Sequence, residues 1–124
     1  MHLQESGEMY LETIYRLTKT RPDVRAIDVC EHMGFSKPSV SRAIGLLRTG
    51  GFVVVDENGH LSLTDQGRQV AERTFECHTL LKSLFVRLGV DEETADADAC
   101  KIEHHISDQT LSALKRYLNQ MNEI

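Results

Sequence analysis

The chain has 124 residues, 40% of them hydrophobic and 27% charged, with a formal net charge of −5. That size suits one domain or two small helical units sharing a core, and no run of 18 apolar residues is present to span a membrane. The acidity is uneven: residues 1–50 carry seven Lys/Arg against six acids, and residues 51–124 carry seven against thirteen, so the first half keeps the local basic surface that a phosphate partner needs.

Met9, Leu11, Ile14, Tyr15 and Leu17 recur at helical spacing, so residues 6–17 are expected to form an amphipathic helix capped by Ser6. Pro22 falls in the following loop. Residues 25–33 read as a short second helix, closed by Gly34. Ser36 then caps a third helix with Pro38 in its first turn, and Val40, Ile44 and Leu47 are its buried stripe. Gly50 and Gly51 stop it. The β-branched run 52–56, the Asn58-Gly59 turn signal and the alternating Leu61-Ser62-Leu63 predict a hairpin. Thr64 caps a long helix expected to run to about Leu88, where Gly89 ends it. Further helices are expected over residues 93–105 and 108–121.

Helix, helix, Gly-containing turn, helix and hairpin is the order of a winged helix-turn-helix. A helix entering the major groove needs short hydrogen-bonding side chains near its start and basic ones beyond. Ser36, Lys37, Pro38, Ser39, Ser41 and Arg42 meet that need, and Arg42 has the fork geometry for a guanine or a phosphate. The tip at Asn58-Gly59-His60 is the expected wing, with His60 as its DNA-facing residue, although Asp56 and Glu57 beside it disfavour phosphate. The plainer reading is a solvated basic helix face.

The second chemical signal is Cys100, Glu103 and His104. At positions i, i+3 and i+4 they share one face of an α-helix and offer S, O and N donors, a set suited to a late first-row divalent ion. Met9 and Glu12 share a face of the first helix, and His78 lies on the long one. Each has an ordinary explanation taken alone: Met9 as core, Glu12 as solvated, His78 as an interfacial histidine, Cys100 as a buried thiol. Cys30 and Cys77 read as core. His2, His32 and His60 lack nearby donors for an ion and default to the surface. His105 points about 100° away from His104 on a helix. Three widely spaced cysteines form no disulfide framework and fit a reducing cytoplasm, and the opening has no basic segment followed by an apolar one, so it does not read as a secretory leader.

These residues carry a resemblance. Glu8-Met9-Tyr10-Leu11-Glu12-Thr13-Ile14-Tyr15, Ser36-Lys37-Pro38-Ser39-Val40-Ser41, Leu63-Thr64-Asp65-Gln66-Gly67 and Cys100-Lys101-Ile102-Glu103-His104 are similar to motifs of the diphtheria toxin repressor and manganese transport regulator family of metal-dependent bacterial repressors. The resemblance covers nearly the whole chain. It implies a mainly α fold, with a winged helix-turn-helix DNA-binding domain over residues 1–70 and an all-helical metal-binding and dimerisation domain over residues 71–124. It also implies the two-domain form, without the SH3-like third domain of the iron branch. Met9, Cys100, Glu103 and His104 match the primary site of the iron-responsive branch. Glu12 and His78 match ligands of the manganese branch, so the site is a hybrid. Two ancillary ligand positions of the iron branch hold Lys82 and Asp96, and a charged lysine cannot be a cation ligand.

The implied function is a cytoplasmic homodimer that represses transcription at a pseudo-palindromic DNA operator, with Fe²⁺ or Mn²⁺ as corepressor. Zn²⁺, Co²⁺ or Ni²⁺ would substitute in vitro. A shared ion would tie the DNA-reading half to the helical half and fix the separation of the recognition helices in the dimer. No catalysis is expected. The alternatives are a winged-helix regulator of an organic ligand, with these donors as core, and a metalloenzyme, for which no general-base motif is evident.

Overall fold

In a computed structural model, residues 3–122 are described; the surface placement expected for His2 lies outside them. Six helices and one hairpin follow in the order α1 (Glu5–Thr20), α2 (Ala26–Met33), α3 (Lys37–Thr49), β1 (Val53–Val55), β2 (Leu61–Leu63), α4 (Asp65–Arg87), α5 (Glu92–Ile102) and α6 (Asp108–Asn122). By its contacts the chain divides into two units, Met1–Glu72 and Arg73–Ile124.

Helix α1 starts earlier than its sequence predicts. Its N-cap is Gln4, not Ser6. Leu3 packs against the first core, which holds the turn ahead of Ser6 in place. The helix ends where Pro22 forces the preceding Arg21 into extended backbone, φ −157°, ψ 150°. Tyr10, Leu11 and Ile14 are buried, with Glu12 and Thr13 beside them.

At the start of α2 the Arg25 N–H donates to the Asp28 carboxylate at 2.8 Å. Gly34 ends the helix with φ +73°, a conformation that glycine adopts without strain. Ser36 caps α3 as expected, its Oγ accepting from the Ser39 N–H at 3.3 Å, and Val40, Ile44 and Leu47 turn inward. Together with Val24, Val29, Phe52, Val53, Leu61 and Ala71 they form one apolar core with α1.

The hairpin is antiparallel, pairing Val53 with Leu63, Val54 with Ser62 and Val55 with Leu61. Its turn differs from the two-residue Asn-Gly form. Five residues connect the strands, only Gly59 has positive φ (+81°), and Asp56 organises the loop. One Asp56 carboxylate oxygen accepts from the N–H groups of Asn58 (2.9 Å) and His60 (2.8 Å). These bonds hold the Asp56 carboxyl below the usual carboxylate range, the His60 N–H contributing most.

Thr64 leads into α4 as the sequence predicts: its hydroxyl accepts from the Gly67 N–H at 3.1 Å and donates to the Gly51 carbonyl at 2.6 Å. Gly67 is required there, because a Cβ would run into the Phe52 carbonyl oxygen.

In the second unit Cys77, Leu81, Ala99 and Leu111 form a smaller core, with Leu80, Phe85, Ile106 and Leu114 packed on it. Asp91 caps α5 by accepting from the Thr94 N–H at 3.0 Å. Arg73 binds the Asp108 carboxylate and the Ile106 carbonyl, both at 2.7 Å, and so fixes the start of α6.

Candidate nucleic-acid interface and metal centre

The residues proposed to read DNA all lie in the first unit. Ser36, Lys37, Pro38, Ser39, Ser41 and Arg42 are exposed, while Val40, Ile44 and Leu47 of the same helix are buried. The spacing of the apolar stripe therefore determines which face of α3 meets solvent. His60 is half-buried at the base of the wing loop, its ring Nδ1 3.5 Å from Asp56. Asp56 was expected to repel phosphate, yet the oxygen that accepts the Asn58 and His60 N–H groups is turned into its own loop.

Two of the six proposed metal donors also lie in the first unit. Met9 is half-buried on α1. Glu12 is 7% exposed and faces the Arg16 guanidinium at 3.5 Å.

The other four lie in the second unit, and here the local structure departs from the expected continuous helix. Helix α5 ends at Ile102, Glu103 is its C-cap, and His104 lies in the turn beyond, so a single helical face does not carry all three donors of the Cys100–His104 stretch. Cys100 is exposed, whereas the Glu103 and His104 side chains are each 1% exposed. His105 is exposed, as its position beside His104 predicts.

The turn brings Glu103 between two imidazoles. One of its oxygens is 2.7 Å from His78 Nδ1 and the other is 3.3 Å from His104 Nε2. The second ring nitrogen of His78 is 2.8 Å from Asp96. A neutral imidazole donates from one nitrogen only, so two carboxylates on one ring require a further proton within the group. The His78 hydrogen bond, with Lys82 adding positive charge, holds the Asp96 carboxyl below its usual range. Lys82 lies 3.5 Å from both Asp96 and Glu92. Sequence reasoning reached Asp96 and Lys82 only through the family resemblance. The i, i+4 spacing of His78 and Lys82 on α4 was the local signal that both would face one neighbour.

A buried carboxylate between imidazoles, with a further carboxylate and an exposed thiol on the adjoining helix, is a donor set that fits a divalent transition ion. Among the described residues no three His, Cys, Asp or Glu side chains are arranged around one point as ligands. His104, Glu103, His78 and Asp96 instead follow one another in a chain of contacts.

Two family domains account for this division of labour. Residues 2–61 match the N-terminal DNA-binding domain of iron-dependent repressors, and residues 64–123 match their metal-binding and dimerisation domain. The chain belongs to the iron-dependent repressor family. It is 30% identical over 116 residues to the transcriptional regulator MntR of Escherichia coli, covering 94% of this chain and 75% of that protein. It is 32% identical over 118 residues to the iron-dependent repressor IdeR of Mycobacterium bovis, covering 94% of this chain and 51% of that one. The solved structure of the manganese regulator SloR superposes with a TM-score of 0.80 at 27% identity, over 96% of this chain and 55% of that chain. The chain thus spans about half the length of the iron repressor and of SloR. No helix among the described residues is long and apolar enough to cross a membrane.

Proposed function

We propose that the protein is a metal-activated transcriptional repressor that binds operator DNA as a homodimer in the cytoplasm. The observation that carries this reading is the Glu103 carboxylate, 1% exposed and flanked by His78 and His104, in the domain that matches the family's metal-binding part. Met9, Glu12, His78, Cys100, Glu103 and His104 are the proposed ligands. The ion supplies a fixed double positive charge that orders these donors.

The DNA contacts are assigned to Ser36, Lys37, Pro38, Ser39, Ser41, Arg42 and His60, whose α3 members present an exposed polar and basic face. Ligands from both units would restrict the orientations that the recognition helix samples, and metal would favour DNA binding by removing that ordering cost. Tyr117 and Leu88 of the second unit, 54% and 72% exposed, are apolar surface suited to the partner subunit. The soft donors Met9 and Cys100 favour Fe²⁺, and the carboxylates Glu12 and Glu103 suit Mn²⁺. The reading assigns no catalytic step to the chain.

The experiment is anaerobic selection of duplexes from a random pool with metal-free, Fe²⁺-loaded and Mn²⁺-loaded protein. Enrichment of a pseudo-palindrome only with metal supports the reading. Equal enrichment without metal contradicts it.

A further inference from the structure

The wing and the start of α2 meet at one arginine. The Leu61 N–H donates to the Val24 carbonyl at 2.7 Å, so the chain just before α2 lies along β2. The next residue is Arg25. A Cβ placed on Gly59, at the tip of the wing, would stand 3.3 Å from Arg25 Nη1. The guanidinium therefore lies against the wing tip, and Arg25 is exposed.

The nearby acids have partners of their own, and the Arg25 charge is the weakest of the influences on Asp56. Asp28 accepts the Arg25 backbone N–H and lies 3.1 Å from the Arg21 guanidinium. The Asp56 Oδ1 oxygen is held by two N–H groups of its own loop. A side chain larger than hydrogen at position 59 would crowd the guanidinium and strain a backbone at φ +81°. The wing tip is built to let an arginine from another element pass over it.

We propose that Arg25 contacts a DNA phosphate beside the wing, so that the wing's basic edge is supplied by the start of α2 rather than by the hairpin, whose loop residues Asp56 and Glu57 are acidic. The proposal rests on the DNA-binding reading above. A guanidinium matches a phosphate through two parallel N–H donors and carries no sequence information there. The contact thus contributes affinity and register without base discrimination.

The test uses metal-loaded full-length protein, a duplex enriched by the wild-type protein, and a scrambled duplex of the same composition. Affinity is measured across a salt series for wild type, Arg25→Gln and Arg25→Lys. Losing one phosphate contact lowers the slope of log affinity against log salt by about 0.9, which is about an eightfold loss at 0.1 M salt that vanishes near 1 M. The preference for the enriched duplex should stay the same, and Arg25→Lys should restore most of the slope. An Arg25→Gln slope equal to wild type overturns the proposal, and so does a changed duplex preference at an unchanged slope. If wild-type protein binds neither duplex with metal, the DNA-binding reading fails as well, which distinguishes the two failures.

Discussion

In the first unit the side chains proposed to face DNA stand on the outside of an apolar core, whereas in the second three of the four proposed metal donors, His78, Glu103 and His104, have buried side chains and only Cys100 is exposed. Leu11, Ile14, Val24, Val29 and Val40 are fully buried, and helix α3 offers solvent polar, basic and small groups together with the exposed Leu46. The second core is smaller, and Glu103 and His78 are buried beside it. A buried carboxylate is costly unless hydrogen-bonded and charge-balanced. The first unit buries a carboxylate, Glu12, which faces the Arg16 guanidinium, while the second depends on what neutralises Glu103. A sensor benefits from that contrast, because the ion then acts on the part of the molecule whose stability it can shift.

Core truncation should break the contrast most strongly. Leu11→Ala leaves a cavity in the first unit and should cost about 2–5 kcal/mol in denaturant unfolding, with or without metal. A cost well below that range would mean that Leu11 does not carry the first core.

A smaller effect is expected at the start of the recognition helix. Ser36→Ala removes the acceptor for the Ser39 N–H and should cost about 1 kcal/mol, measured by thermal unfolding. DNA affinity should fall while metal binding stays unchanged.

The smallest effect sharpens the electrostatic side. The Thr94 N–H, then the Thr94 hydroxyl, hold the Asp91 carboxyl below its ordinary 3.8. The folded form therefore binds this proton more weakly than the unfolded form. The stability it contributes is fully present above the unfolded value and is lost as pH falls through the lower folded one. Asp91→Asn should make the acid decline of stability shallower below about pH 5, and an unchanged decline would remove Asp91 from the account.

Apolar periodicity and turn residues made most of the first unit legible in the sequence. The Val40–Ile44–Leu47 stripe, the Ser36 cap, the Gly34 stop and the Thr64 junction stand as the residues predict. The wing hairpin is legible from Asn58-Gly59, but its five-residue loop is not, because the controlling Asp56 acts on N–H groups two and four residues ahead. The second unit was harder to read. Residues 92–105 lack a strong apolar period, so nothing local marks the end of α5 at Ile102, although Asp91, a preferred N-cap residue soon after Gly89, is a local signal for its start. The pairing of His78 with Glu103 spans 25 residues and depends on tertiary packing, which no local pattern encodes.

The central claim is that a metal ion acts on DNA binding through the buried Glu103 group. The direct measurement is operator affinity of wild type and Glu103→Gln with and without Mn²⁺ or Fe²⁺, under anaerobic conditions so that Cys100 stays reduced. Metal should raise wild-type affinity by on the order of 5–150-fold, and the ratio should fall to near one in the variant. A variant that keeps the wild-type ratio would contradict the account.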